Sequence, residues 1–98
     1  MTLLYFEGCP SWRQALVHLE SLADERSDLV IHHQIVDTDE AAQRHRFCGS
    51  PSIHAHGHDL FAGPDAPVGL SCRIYQTPDG PAGSPTLEQL RSALGTST

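Results

Sequence analysis

An apolar stripe at helical spacing between two short apolar strands constrains the fold of this chain most strongly. Apolar residues recur every three or four positions over residues 12–23, and polar side chains fill the positions between them. Residues 2–6 and residues 29–36 flank this stripe and are rich in β-favouring side chains. Residues 29–36 carry apolar side chains on both faces, as a parallel strand covered from both sides does. The pattern predicts a βαβ unit whose helix has Pro10 at its first position.

The rest of the chain adds a helix, a hairpin and a final helix. Capping oxygens and acidic side chains predict a short helix over residues 39–46. Residues 52–56 and 58–61 then predict two strands joined by a tight turn. Ser84 is the expected cap of the last helix, with Pro85 at its first position. The predicted order is β-α-β-α-β-β-α, an α/β fold with a mixed four-stranded sheet flanked by helices.

A long Pro- and Gly-rich loop, residues 62–85, precedes the last helix. Loops longer than about 15 residues are uncommon in compact domains and are often functional. Within it, Leu70, Cys72 and Ile74 alternate with more polar residues. This alternation predicts an extended segment packed on the body of the protein, with Cys72 facing inward.

Length and charge exclude several classes of protein. The 98 residues, 1–98, are expected to form a single domain. A net charge of −6 disfavours nucleic-acid binding and membrane-surface binding, both of which need clustered cations. The first residues lack the basic leader of a signal peptide, which predicts a cytoplasmic location. Nothing in the sequence implies a cofactor.

Cys9 is the candidate nucleophile among three cysteines. An odd number of cysteines without an export signal disfavours a structural disulfide framework. Cys9 lies between the first strand and the first helix, where unpaired N–H groups and the helix dipole favour a thiolate. We therefore expect Cys9 to be the fastest-reacting of the three thiols, ahead of both Cys48 and Cys72. A buried, inert thiol at the strand–helix junction is the alternative interpretation.

Two motifs carry a resemblance to the thioredoxin-like superfamily. The first is the sequence CPSW at residues 9–12, and the second is GSPS at residues 49–52, which leads into the hairpin. Together with the sequence GLSCR at residues 69–73, they resemble small bacterial thioredoxin-family proteins of glutaredoxin-like type. The resemblance implies that the Ser50–Pro51 bond is cis and that Pro51 packs beside Cys9. It also implies that the backbone of Ser50 pairs with a bound peptide or thiol.

The side chains around these motifs are candidates for binding a substrate. The expected partner is a protein or a low-molecular-weight thiol. Arg13 follows Cys9 by one helical turn and Arg73 is next to Cys72, so either could stabilise a thiolate or bind a carboxylate. The substrate-binding candidates are Pro10, Ser11, Arg13, Ser50, Pro51 and Arg73.

The chain departs from the usual thioredoxin pattern at Trp12. Thioredoxins place a second cysteine there, which releases the mixed disulfide formed by the first. Trp12 lies on the apolar stripe and is expected to pack. Cys9 would then act as a monothiol, or a distant cysteine would resolve the mixed disulfide, with Cys72 favoured over Cys48. We predict an internal Cys9–Cys72 disulfide under mild oxidant, which requires Cα atoms within about 7 Å.

Two other functions compete with redox chemistry. His54 and His56 share one face of a predicted strand, so Cys9 and Cys72, together with His54 or His56, could bind a soft metal ion. Polar residues on a half-exposed hairpin are the simpler interpretation of these histidines, and none is predicted to be a metal ligand. The third possibility is a redox-inactive interaction module of thioredoxin-like fold.

Overall fold

The computed structural model describes residues 1–26, 28–62 and 66–94. In these ranges the chain forms three helices, a four-stranded sheet and a separate two-stranded sheet. The helices are α1 (Trp12–Glu25), α2 (Asp39–His45) and α3 (Leu87–Ala93). The strands are β1 (Thr2–Tyr5), β2 (His32–Ile35), β3 (Ser52–Ala55), β4 (His58–Asp59), β5 (Tyr75–Thr77) and β6 (Gly80–Ala82).

The main sheet is mixed, with strand order β2-β1-β3-β4. β1 runs parallel to β2 and antiparallel to β3, and β3 and β4 form an antiparallel hairpin. Leu3 is paired with His33 on one side and Ile53 on the other, which places β1 at the centre. The chain is therefore an α/β protein with a mixed four-stranded sheet, as the periodicity predicts.

Apolar residues of β1 point alternately to two separate cores. Leu3 and Tyr5 pack with buried residues of α1, α3 and β3 on one face. Leu4 packs with Val36, Ala42 and Phe47 on the opposite face, which α2 covers. Alternation along a strand places successive side chains on opposite faces, so one short strand contributes to both cores.

Strand β2 differs from the expectation of a strand covered on both faces. It is shorter than predicted, and it lies at the edge of the sheet with His32, His33 and Ile35 exposed. Val30, which was expected to belong to it, lies outside the strand and is 61% exposed. The prediction of two covered faces is wrong for β2 itself and holds only at its flanks, where Leu29 and Ile31 pack against one core and buried Val36 lies in the other.

Both helices predicted to start at a proline begin two residues later. α1 begins at Trp12 after the cap residue Ser11, and Pro10 lies in the preceding turn. α3 is capped by Thr86, whose side chain accepts from the backbone N–H of Gln89 while the Gln89 side chain accepts from the Thr86 N–H. This reciprocal capping box satisfies two donors, which Ser84 further upstream does not do.

The long loop contains a hairpin that the sequence analysis missed. β5 and β6 pair in it around a turn at Pro78 and Asp79. The loop prediction also covers residues 63–65, and the single-domain prediction covers residues 95–98; both groups lie outside the described residues. In the part of the chain that is described, no helix has the length and apolar character needed to cross a membrane.

Candidate functional site

Cys9 lies in the turn between β1 and α1, as the sequence predicts. Its backbone N–H donates to the carbonyl of Phe6 at 3.3 Å, and the residue is only 2% exposed. Its sulfur atom lies 3.7 Å from the carbonyl oxygen of Ser50. The Ser50–Pro51 bond is cis, as the resemblance implies. β1 and β3 are neighbours, so the turn after one strand and the residues before the other meet at the same end of the sheet.

The docked segment, residues 71–73, passes directly over this position. The N–H of Ser50 donates to the carbonyl of Ser71 at 2.7 Å, and the N–H of Arg73 donates to the carbonyl of Ser50 at 2.9 Å. These bonds form an isolated parallel bridge between Ser50 and Cys72. The backbone groups expected to pair with a bound peptide or thiol therefore pair with the protein's own chain.

Gly49 permits the close approach of the docked segment. It has φ +114°, and a Cβ atom there would lie 3.0 Å from Cβ of Arg73 and 3.2 Å from the carbonyl oxygen of Ser71. Any other residue would be strained in this conformation and would push against the docked segment.

The docked segment brings Cys72 to Cys9. The two Cα atoms are 5.9 Å apart and the sulfur atoms are in contact, which meets the distance condition for a disulfide. Cys72 is an exposed residue, unlike Cys9. Cys48 pairs with no other described cysteine, and its thiol faces the carbonyl of Arg46 at 3.5 Å.

The alternation expected around Cys72 is wrong in its direction. Leu70 is 36% exposed and Ile74 is 62% exposed, although both were expected to face inward. The inner positions are taken by Arg73 and Tyr75, whose polar groups find partners on β3, on β4 and at Pro51. Buried polar groups with good partners occupy the inner face, so the apolar neighbours face outward.

Arg73, which was a candidate to stabilise a thiolate or bind a substrate carboxylate, forms a largely buried ion pair within the protein instead. Its Nη1 and Nη2 atoms donate to Asp59 at 2.7 and 3.2 Å, and Nη1 also donates to Ser52 Oγ at 3.1 Å. The Arg73 and Asp59 side chains are 11% and 8% exposed. Burial alone would lower the pKa of Arg73, but the hydrogen bond to Asp59 and the nearby charges raise it overall. Arg73 therefore fixes the docked segment to β4.

Tyr75, which lies two residues after the docked segment, provides a second attachment. Its hydroxyl donates to the carbonyl of Pro51 at 2.5 Å, and the guanidinium of Arg73 lies 4.6 Å from its ring centroid. Burial raises the pKa of Tyr75 above its usual value, so the hydroxyl stays a donor at neutral pH. Sequence analysis missed Ser52, Asp59 and Tyr75, because no local pattern links them to a cysteine.

The remaining candidates surround the turn of Cys9. Trp12 stacks on Tyr5 with ring centroids 4.3 Å apart, which confirms that it packs. The guanidinium of Arg13 lies 5.3 Å from the Trp12 ring centroid, on an exposed residue. Pro10 is exposed, and its carbonyl accepts from the N–H of Arg13. Ser11 lies against Gly83, where a Cβ atom would come within 2.7 Å of the Ser11 Cβ.

The third thiol has a different electrostatic setting. Burial raises the pKa of the Cys48 thiol and the carboxylate of Asp59 adds to the rise, while Arg73 and Arg46 oppose it. A raised pKa keeps a thiol protonated at neutral pH, and the thiolate is the nucleophilic form. This agrees in direction with the expectation that Cys48 is not the most reactive cysteine.

The histidines of the hairpin do not form a cluster with the cysteines. In the described ranges, no group of three or more His, Cys, Asp or Glu residues is arranged to hold a metal ion. His54 lies beside Asp59, with Nε2 3.8 Å from Oδ2, and this nitrogen has no hydrogen-bond partner among the described residues. His56 is exposed at the turn of the hairpin with φ 55°.

His54 gives a prediction about pH. Burial lowers its pKa, and the charge of Asp59 offsets this only in part. The folded protein therefore favours neutral His54 more than the unfolded chain does, where the pKa is about 6.5. Stability from this residue is present above about pH 6.5 and is lost as the pH falls towards the folded-state value. When the pH is lowered from about 7.5 to about 5, the free energy of unfolding of His54→Gln is expected to fall less than that of the wild type. Urea unfolding at both pH values measures the difference.

His32→Gln is the matched control, because His32 is exposed on β2. Its loss of stability over the same pH range is expected to follow that of the wild type. Parallel pH profiles for all three proteins would show that His54 does not titrate differently on folding.

Comparisons of the chain with protein-family models, with curated proteins and with solved structures found no match. The fold and the site define a mixed α/β protein. In it, two cysteines that are 63 residues apart in sequence meet at one end of the sheet.

Proposed function

We propose that this chain is a thioredoxin-like redox protein in which Cys9 and Cys72 form a reversible disulfide. The order of the main sheet, the strand–cysteine–helix junction and the Ser50–Pro51 turn beside it support the thioredoxin-like assignment. Trp12 packs against the core, and α1 contains no second thiol. A resolving thiol must therefore come from elsewhere in the chain, and Cys72 is the cysteine that lies close enough.

The observation that carries the proposal is the placement of the backbone. Two hydrogen bonds to Ser50, together with the Arg73–Asp59 pair, keep the Cα atom of Cys72 5.9 Å from that of Cys9. These contacts do not depend on a bond between the sulfur atoms. Two thiols that are held this close exchange with an external disulfide more readily than either does alone, because the second step is intramolecular.

The reaction conserves electrons between the protein and a small disulfide. Both protein thiols lose a proton and together give up two electrons to form one S–S bond. The external disulfide accepts the two electrons and the two protons and becomes two thiols. The partner is thus a low-molecular-weight or protein disulfide in one direction and the corresponding thiol in the other.

Equilibration with glutathione tests this proposal. In a Cys48→Ser background, Cys9 and Cys72 are expected to be oxidised together, as a single two-electron step with no glutathione retained by the protein. Cys72→Ser in the same background is expected to leave Cys9 as a mixed disulfide, or as a sulfenic acid when peroxide is the oxidant. Intact-protein mass spectrometry after acid quenching distinguishes these species.

The contrary results are equally clear. If the two cysteines acquire glutathione independently, the internal disulfide does not form. If neither reacts, the protein is a redox-inactive interaction module. A folding control is required, because Cys9 is buried, so each variant is compared with the parent by circular dichroism.

A further inference from the structure

The two cysteines of the pair differ sharply in their access to solvent. Cys9 is 2% exposed beneath the docked segment, whereas Cys72 is an exposed residue on that segment. An external thiol or disulfide must reach along the S–S axis to attack a sulfur, so access decides which sulfur reacts. The nucleophile expected from the motif, Cys9, is thus the more buried residue of the two.

The cover over Cys9 is attached on both sides of Cys72. Before it, the carbonyl of Ser71 accepts from Ser50 at 2.7 Å. After it, Arg73 donates from its backbone to Ser50 and from its guanidinium to Asp59. Exposing Cys9 would break these hydrogen bonds and separate the largely buried charges of Arg73 and Asp59. Both changes cost free energy. Cys72 needs no such opening.

We propose, on the basis of the function proposed above, that Cys72 is the sulfur that exchanges with the external partner and that Cys9 is the internal resolving thiol. This reverses the order expected from the position of Cys9 at the start of α1. The partner class is a low-molecular-weight thiol or disulfide of the glutathione type, because the docked segment occupies the backbone of Ser50 that an extended peptide would pair with.

The exchange proceeds in two balanced steps. In reduction, the thiolate of the small thiol attacks Sγ of Cys72, the bond to Cys9 breaks, and Cys9 leaves as a thiolate that takes up a proton. The carbonyl of Ser50, 3.7 Å from Sγ of Cys9, is placed to accept that S–H. A second small thiol then attacks the sulfur of the first small thiol in the mixed disulfide. The bond to Cys72 breaks, and Cys72 is released and takes up a proton to become a thiol. The products are two protein thiols and one small disulfide, and oxidation runs the same steps in reverse.

Single-thiol variants separate the two roles. In a Cys48→Ser background, Cys9→Ser retains Cys72 alone, and Cys72→Ser retains Cys9 alone. Both reduced proteins are mixed with oxidised glutathione, quenched with acid at intervals, and analysed by mass spectrometry. The protein with Cys72 alone is expected to gain glutathione about tenfold faster or more, because Cys72 is an exposed residue and can be reached without opening the docked segment. Equal rates, or a faster reaction of Cys9, would overturn the proposal.

Two further measurements keep the outcome interpretable. Cys9→Ala replaces Cys9→Ser if the serine variant unfolds, since alanine places no hydroxyl in the buried position. The Cys48→Ser protein with both thiols reports on the proposed function itself. If it forms the internal disulfide while Cys9 reacts faster, the function stands and the proposed order of attack is wrong. If it forms no internal disulfide, both proposals are wrong.

Discussion

Oxidation of Cys9 and Cys72 to a disulfide is expected to raise the free energy of unfolding by about 4 kcal/mol. The bond would join residues 63 positions apart and thereby restrict the unfolded chain far more than the folded one. Chain-entropy arguments give about 3 kcal/mol for a 15-residue loop and about 4.7 kcal/mol for a 100-residue loop, which bracket this case. Urea unfolding of the Cys48→Ser protein, oxidised and with reductant present, measures the difference.

Cys72→Ser in the same background is the control, since it removes the bond and retains the rest of the docked segment. Its stability is expected to be the same with and without reductant. A difference below about 1 kcal/mol between the two states of the parent would mean that the folded protein strains the bond or that the unfolded chain retains structure.

This stability difference also determines how strongly the fold favours the disulfide. By linkage, disulfide formation is more favourable in the folded protein than in the unfolded chain by the same free energy. About 4 kcal/mol corresponds to nearly a thousandfold in the equilibrium with a small thiol. The redox equilibrium and the stability measurement are therefore two tests of the same placement of Cys72 beside Cys9.

The elements of the main sheet follow from local sequence, because apolar periodicity reports which face of each segment is buried. The stripe of α1 predicts the face that this helix buries, and the β-favouring residues 2–6 predict the buried strand β1. Whether a strand is central or lies at an edge depends on its pairing partners, which local sequence does not contain. The pattern of residues 29–36 therefore predicts two covered faces, although β2 lies at the edge of the sheet.

The site shows a similar division. The meeting of Cys9 and Cys72 could be expected, because the motif lacks a second cysteine and the long loop supplies one. The way the loop is attached could not, because it depends on a pair of side chains, Arg73 and Asp59, that only the tertiary fold brings together. The hairpin formed by β5 and β6 did have a local signal, the turn sequence of Pro78, Asp79 and Gly80.

The attachment of the docked segment gives the second large prediction. Asp59→Asn is expected to destabilise the reduced protein by about 3–5 kcal/mol, because it leaves the guanidinium of Arg73 buried without its counter-charge. Asparagine can still accept the hydrogen bond that Phe61 N–H donates to Asp59 Oδ1, so the loss reports on the charge rather than on the turn. Urea unfolding at about pH 7.5, where a histidine of lowered pKa is neutral, measures the effect without a contribution from His54.

Glu40→Gln makes the same change of charge in an exposed ion pair with Arg44, one helical turn away on α2. That pair is expected to contribute no more than about 0.5 kcal/mol, because both side chains are solvated. The double variant Asp59→Asn with Arg73→Gln removes both charges and is expected to be less destabilised than the sum of the two single variants. If Asp59→Asn costs no more than Glu40→Gln, the ion pair does not hold the docked segment. Cys9 could then be exposed at little cost, and an external thiol would have no physical reason to reach Cys72 first.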